Sequence, residues 1–97
     1  MLINWSQSSR QDILEVLAYF TSIEEDATGK NIVSTIIGST DRLLSYPLSG
    51  KPGRSAETRE IVVKKIPYVI IYKINADRIE ILRVLHTSRL FPESMEV

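Results

Sequence analysis

The fold is decided by residues 50–89, which read GKPGRSAETREIVVKKIPYVIIYKINADRIEILRVLHTSR. Three runs within this stretch, 58–66, 68–74 and 78–87, are rich in Ile, Val and Tyr, which suit a pleated, half-buried strand. Pro67 separates the first run from the second, and a three-residue turn separates the second from the third. Connections this short join antiparallel neighbours, because a parallel return needs a crossover of about a dozen residues. We therefore predict a three-stranded antiparallel meander.

The first half of the chain reads as a short strand followed by a helix. Residues 2–5, LINW, alternate imperfectly and predict a first strand. Ser6 or Ser8 then offers a helix N-cap, and apolar residues at three- and four-residue spacings predict a helix from about residue 9 to residue 22. An acidic run at 24–29 breaks the pattern and is expected to be an exposed loop.

A second helix follows this break. Its apolar residues recur in steps of four from Ile32 onward, and it should end at the Tyr-Pro pair at 46–47, because the residue before a proline is pushed out of the helical region. Gly38 lies inside this helix, and we interpret it as a point of close packing against the first helix. Two such helices joined by a short loop form an antiparallel hairpin.

The predicted fold is a single α+β domain covering residues 1–97, with the element order β-α-α-β-β-β. We expect an antiparallel sheet with the two-helix hairpin packed on one face, in two layers. The residues expected in or near the core are Ile13, Leu17, Phe20, Val33, Ile36, Ile37, Ile61, Val63, Ile81 and Leu85.

Composition narrows the function classes. The chain has no cysteine and one histidine, so we predict no metal site and no cofactor. Twelve basic residues balance twelve acidic ones, which argues against a dedicated nucleic-acid binder, since phosphate contacts supply most of the affinity of such proteins. Neither a signal peptide nor a membrane span is visible, and a cytoplasmic location is the expectation.

Two side chains of the last strand are candidates for chemistry. Simple alternation places Arg83 and His86 on opposite faces unless a bulge intervenes, so spacing does not support a joint catalytic pair. Arg83 is expected to form an ion pair with Glu60 or another sheet carboxylate. His86 could act as a general acid or base, or serve as a hydrogen-bonded structural residue. A phosphate-binding glycine loop, a zinc-binding HExxH motif and a nucleophile elbow are all missing from the sequence.

Three strings, LLSYPLSGKPGR (43–54), TREIVVKKIPYVIIYKI (58–74) and RIEILRVLHTSR (78–89), resemble the ParE/RelE superfamily of bacterial type II toxins, in particular its ParE branch. The resemblance covers about residues 2–90. It implies a toxin that is neutralised by a cognate antitoxin, in a toxin–antitoxin hetero-oligomer. It also implies an antitoxin tail that folds as it wraps the toxin, so the isolated toxin should expose an apolar groove.

The resemblance implies one of two targets. RelE-like members cleave messenger RNA on the ribosome, typically with an arginine after the tyrosine of the third strand, where this chain has Val69. They place lysines where this chain has Glu60 and Val62, and some end in a tyrosine where it has Phe91. Members of the ParE branch instead poison DNA gyrase, which is the favoured interpretation.

The site residues follow from the same resemblance. The surface that binds the target is expected to include Arg59, Arg83 and Arg89, because arginine is enriched at interface hot spots. His86 is expected on the same surface. If the chain were instead an mRNA endonuclease, His86 and Arg83 would be the catalytic candidates, and the ribosome and its message would be the partners.

Overall fold

The computed structural model describes residues 1–53, 55–63 and 65–89, with Arg89 described in its backbone alone. The strands and helices are β1 Leu2–Trp5, α1 Gln7–Ser22, α2 Asp26–Asp41, β2 Lys51–Pro52, β3 Thr58–Val63, β4 Tyr68–Ile74 and β5 Arg78–His86. Short 3₁₀ turns lie at Arg42–Leu44, Pro47–Ser49 and Thr87–Arg89. Both helices pack against one face of a five-stranded sheet with the order β1-β5-β4-β3-β2. The predicted α+β class and helical hairpin are confirmed.

The sheet is mixed rather than wholly antiparallel. The meander of β3, β4 and β5 is antiparallel, as predicted. However, β1 runs parallel to β5, with Leu2 opposite Arg78 and Trp5 opposite Ile81. The expectation of an antiparallel sheet is therefore wrong at β1, because its partner is the last strand and no short turn joins the two. The two-residue β2, which was not predicted from the sequence, pairs antiparallel with β3.

Local signals define the helix ends. The hydroxyl of Ser6 caps α1 by accepting the Ser9 N–H at 3.0 Å, and α1 begins at Gln7, two residues earlier than expected. The α2 helix begins within the acidic run at Asp26, where an acidic side chain stabilises a helix N-terminus. That run is therefore only partly loop. No helix in the described ranges is long and apolar enough to cross a membrane.

A bulge in β5 changes which side chains share a face. Tyr72 pairs with Ile81 and Ile71 pairs with Arg83, so Leu82 has no partner across the ladder. The bulge reverses the alternation beyond Ile81. As a result, the core beneath the helices and a second apolar cluster on the far face draw on different β5 residues from those that simple alternation predicts.

The core lies between the helices and the sheet. Four predicted core residues, Ile36, Val63, Ile81 and Leu85, are buried, but Leu85 packs with Val69 and Ile71 on the far face. Five more are partly buried: Ile13, Leu17, Phe20, Val33 and Ile61. Ile37 is 44% exposed, so its assignment to the core is wrong. The prediction did not include Leu43, Ile70, Tyr72 and Ile79, all of which are fully buried.

The helices approach closely at Gly29 rather than at Gly38. A Cβ added to Gly29 would lie 2.8 Å from the Phe20 Cβ, whereas one added to Gly38 would meet no heavy atom within 4 Å. The interpretation of Gly38 as a packing point is wrong. Gly29 is the residue whose missing side chain lets the two helices meet.

Candidate functional site

Arg83 forms a two-pronged ion pair with α1. Its Nε and Nη2 atoms donate to the two carboxylate oxygens of Asp12, at 2.8 and 3.0 Å, and the Val84 N–H donates to the same carboxylate at 2.8 Å. β1 pairs with β5 only as far as Ile81, so Asp12 takes the place of a strand at the exposed edge beyond it. Hydrogen bonding to Asp12 raises the pKa of Arg83 above its ordinary value, against an opposing effect of burial.

The ion-pair interpretation of Arg83 is confirmed, but its partner comes from a helix and not from the sheet. Asp12 is only 8% exposed. The sequence carried a usable signal, because Asp12 lies four residues before Val16 and therefore on the same buried stripe of α1. A carboxylate on an apolar stripe needs a cationic or N–H partner. Arg83 supplies the cation and Val84 supplies the N–H, both from the other end of the chain.

His86, the last residue of β5, is tied to the turn that follows it. The backbone N–H of Ser88 donates to His86 Nδ1 at 3.1 Å, and the Ser88 hydroxyl approaches the same nitrogen at 2.7 Å. Because Nδ1 accepts, the ring proton of the neutral imidazole is on Nε2. The Tyr68 ring meets the imidazole edge-to-face, with centroids 5.2 Å apart. This arrangement matches the structural interpretation of His86.

Arg83 and His86 do not form a common site. The register places Arg83 opposite Ile71, on the face away from the helices, and His86 opposite Tyr68, on the face beneath them. The bulge precedes both residues, so their predicted separation is confirmed. Arg83 reaches Asp12 around the open edge of β5.

Arg59 binds the backbone of the segment that joins α2 to β2. Its Nε donates to the Gly50 carbonyl at 3.0 Å, and its Nη2 donates to the Leu48 carbonyl at 3.2 Å. These hydrogen bonds do not test the predicted contact of Arg59 with a target, which stays a prediction. The side chain of Arg89 and all of Phe91 lie outside the described residues.

An apolar groove of about 470 Å³ opens between α1 and the ends of β4 and β5. Asp12 and Glu15 lie on one wall, while His86 and Ser88 lie on another. Two of its apolar side chains, Tyr19 and Ile23, are 60% and 47% exposed. Apolar and aromatic side chains line most of the rest: Val16, Phe20, Ile32, Pro67, Tyr68, Val84 and Leu85. This groove has the apolar character expected of the surface that receives an antitoxin.

On the opposite face of the sheet, Val69, Glu60 and Val62 lie at the positions where the resemblance to RNA-cleaving members predicts basic residues. Val69 is 4% exposed and packs with Ile71 and Leu85. Glu60, opposite Ile71 in the register, is also 4% exposed. Val62, opposite Val69, is 61% exposed. Within the part of the chain that the structure describes, no group of three or more His, Cys, Asp or Glu residues could hold a metal ion.

Known proteins share both the sequence pattern and the fold. The family described as "ParE toxin of type II toxin-antitoxin system, parDE" matches residues 3–91. A protein of Sinorhizobium fredii (strain NBRC 101917 / NGR234) named "Putative toxin Y4kP" is 38% identical over 91 residues, which cover 94% of this chain and 93% of that protein.

A chain in the solved structure of the chromosomal ParDE TA system from P. aeruginosa has a similar fold. It superposes with a TM-score of 0.80 at 16% identity, covering 89% of this chain and 95% of that chain. At that identity the comparison concerns the fold alone.

Proposed function

We propose that this chain, which belongs to the ParE toxin family of type II toxin–antitoxin systems, arrests bacterial growth by acting on DNA gyrase. A cognate antitoxin holds it inactive by binding the groove beside α1. The chain works as a binding poison, without a catalytic step of its own. The resemblance of its strands to the ParE branch supports gyrase as the target, and the state of Arg83 supports the lack of catalysis.

The carrying observation is the two-pronged pairing of Arg83 with Asp12. An RNA-cleaving site needs a general base and a free cation at one phosphate, where charge develops in the transition state. Here Asp12 neutralises the Arg83 guanidinium, and His86 lies on the other face of β5. The two residues that could serve such a site are therefore neither free nor together.

The far face of the sheet supports the same conclusion. At the positions where an RNA-cleaving member would carry basic residues, this face has the aliphatic Val69 and the acidic Glu60. A carboxylate beside the phosphate would repel the negative charge that an RNA-cleaving site has to stabilise.

The groove suits an antitoxin segment that folds as it binds. Tyr19 and Ile23 offer large, partly exposed apolar surface, and such anchors are what an amphipathic segment needs. Glu15 lines the groove, and Glu24 and Glu25 follow directly after Ile23. An antitoxin segment with apolar anchors and neighbouring basic residues would complement this surface.

The target is tested by incubating the purified toxin with gyrase and supercoiled plasmid, and in parallel with translating ribosomes. We expect gyrase-dependent linear DNA and intact message. Message cut at codon-defined positions, with gyrase unaffected, would overturn the proposal and assign the chain to the mRNA endonucleases. The variant His86→Gln sharpens the result, because a ribonuclease that uses this imidazole would lose about 10²–10⁴-fold in rate.

The antitoxin site is tested with Tyr19→Ser against the control Leu14→Ser. Both residues lie on α1 and are similarly exposed, at 60% and 58%, but only Tyr19 lines the groove. We expect Tyr19→Ser to weaken binding of the antitoxin at least about tenfold, as loss of an aromatic anchor does. Equal binding by the two variants would place the antitoxin elsewhere.

A further inference from the structure

The segment between α2 and β2, residues 42–50, is held in place by a buried hydroxyl. Tyr72 is fully buried, and its hydroxyl donates to the Pro47 carbonyl at 2.7 Å and accepts the Gly50 N–H at 2.9 Å. A Cβ added to Gly50 would lie 2.6 Å from this oxygen, so only glycine fits. We call residues 42–50 the connector.

Arg59 fixes the same segment from β3. Its two hydrogen bonds to the Gly50 and Leu48 carbonyls hold the last residues of the connector against the sheet. Within the connector, the Tyr46 N–H donates to Arg42 O at 3.0 Å and the Ser49 N–H donates to Tyr46 O at 3.1 Å. The connector is therefore ordered by specific contacts along its length.

This ordered segment turns most of its large apolar side chains to solvent. Leu43 is 1% exposed and belongs to the core. Tyr46 and Leu48 are each 69% exposed, and Leu44 is 43% exposed. Burial in the core does not account for these three side chains. Large apolar side chains exposed on a segment whose backbone is held by specific contacts are typical of an interaction site, because little backbone entropy is lost on binding.

Basic residues outnumber acidic ones in the sequence around these three side chains, where Asp41 directly precedes the connector. Residues 42–56 contain Arg42, Lys51 and Arg54 and no acidic residue. Arg42 and Lys51 are exposed and flank the three apolar side chains in sequence. We call the five residues Arg42, Leu44, Tyr46, Leu48 and Lys51 the connector patch.

We infer that the connector patch is a docking surface for a protein, and that its partner presents an apolar pocket bordered by carboxylates. Tyrosine and arginine are enriched in protein interfaces, and the basic side chains would meet the acidic border. The inference rests on the proposed function in one respect: we assign the patch to the target of the toxin and the groove to the antitoxin. The two surfaces share no residue and differ in charge.

Three other occupants fit less well. A second copy of the chain, related by a two-fold axis, would bring like charges together. A nucleic acid would leave Leu44 and Leu48 without a role, since strand binding uses cationic and aromatic side chains. An antitoxin segment with basic residues, suited to the acidic groove, would be repelled by Arg42 and Lys51.

The test compares Tyr46→Ser/Leu48→Ser with the control Leu2→Ser/Leu14→Ser. The control removes two leucines that are 72% and 58% exposed and lie outside both the groove and the patch. Each variant is assayed for growth arrest on expression, for co-purification with the antitoxin, for binding of naked plasmid DNA and for thermal unfolding. We expect the patch variant to lose at least about tenfold in growth arrest, with antitoxin binding and unfolding temperature like the control.

Growth arrest equal to that of the control would overturn the inference. Loss of antitoxin binding in the patch variant would also overturn it, by assigning the patch to the antitoxin. Binding of naked plasmid by the wild-type chain, lost in the patch variant, would replace the protein partner with DNA. A patch-dependent dimer of the wild-type chain would replace the partner with a second copy.

The experiment separates this inference from the gyrase proposal. If the wild-type chain arrests growth without affecting gyrase, the gyrase proposal fails, but loss of arrest in the patch variant still supports the docking surface. If both variants inhibit gyrase equally, the docking surface fails and the gyrase proposal stands. A wild-type chain that arrests no growth would overturn both.

Discussion

The groove and the connector are both apolar surfaces, but they are built in opposite ways. The groove encloses about 470 Å³ of space that apolar side chains border without filling. The connector has its backbone polar groups satisfied by Tyr72 and Arg59, and its apolar side chains project outward. An open groove suits a partner that changes shape to enter it, whereas a fixed projecting surface suits a partner with a preformed pocket.

The contacts that hold these two regions also differ in kind. One wall of the groove, α1, is tied to β5 through a charged pair, Asp12 with Arg83. The connector is tied to the sheet through a neutral hydroxyl and an arginine on backbone carbonyls. The two proposed recognition surfaces of this small domain are therefore held by independent contacts. Substitutions can therefore perturb them one at a time.

The largest effect is expected from Asp12→Ala. This change leaves the Arg83 guanidinium and the Val84 N–H without their partner, and we expect it to lower the free energy of unfolding by about 3 kcal/mol. The Arg83 side chain is 32% exposed, and water lowers the loss below that of a fully buried pair. Urea denaturation measures the change.

Glu15→Ala is the control for Asp12→Ala, because Glu15 is an exposed acidic residue about one turn further along α1. We expect it to change stability by less than about 0.5 kcal/mol. Because the pKa of Arg83 is raised, its stabilising contribution is complete below the ordinary arginine pKa and is lost only as the pH rises beyond it. The difference between the two variants should therefore be constant across neutral pH. Equal stability of the two would mean that packing alone holds α1.

Tyr72→Phe tests how the connector is fixed. Loss of the hydroxyl leaves the Gly50 N–H and the Pro47 carbonyl without their partner, and we expect a loss of about 2 kcal/mol. Amide exchange at Gly50 should become faster, which directly reports the release of the connector. Tyr46→Phe, on a side chain 69% exposed, should change neither quantity. Unchanged exchange at Gly50 in Tyr72→Phe would show that Arg59 alone is sufficient.

Gly29→Ala tests whether helix packing shapes the groove. The added methyl group would lie 2.8 Å from the Phe20 Cβ and force the helices apart or displace that side chain. The free-energy cost of overpacking exceeds the gain in helix propensity, and we expect a net loss of stability of about 1 kcal/mol. Because Phe20 lines the groove, antitoxin binding should also weaken. Wild-type antitoxin affinity in this variant would show that the groove tolerates movement of its wall.

Gly38→Ala is the control for Gly29→Ala. Its expected effect on stability is the smallest of these variants and has the opposite sign. An added Cβ meets no heavy atom within 4 Å. We expect Gly38→Ala to raise stability by about 0.5–1 kcal/mol, because alanine lowers the entropy of the unfolded chain and no contact is strained. Thermal unfolding of Gly29→Ala and Gly38→Ala measures the two changes in stability. A loss at Gly38 would contradict the open environment of this residue.

The elements of the fold could be predicted from the sequence because their signals are local. β1 at residues 2–5 and β4 at residues 68–74 have the predicted bounds. The predicted end of the second helix at Tyr46-Pro47 is wrong, because α2 ends at Asp41 and separate 3₁₀ turns follow it. Alternation, helical spacing and turn residues act over a few positions. Arg83 as an ion-paired residue was also predictable, since a half-buried cation in a strand needs a counter-charge.

The candidate site depended on contacts between distant parts of the chain. Leu82 shows no local bulge signal, yet the bulge there decides that Val84 and His86 face the helices. Asp12 finds Arg83 from 71 residues away, and the Tyr72 hydroxyl reaches Gly50 from 22 residues away. No local sequence pattern identifies either pair of partners.

The sequence by itself determined the class of the fold, the order of its two helices and four longer strands, and its resemblance to the ParE toxins, because periodicity and short motifs carry that information. Only the tertiary structure decided that β1 runs parallel to β5, that Arg83 is neutralised and that the connector is held by Tyr72. The physical reason is that pairing direction, counter-charge and hydrogen-bond partner are chosen among groups far apart in sequence, when the layers pack and every buried polar group needs a partner.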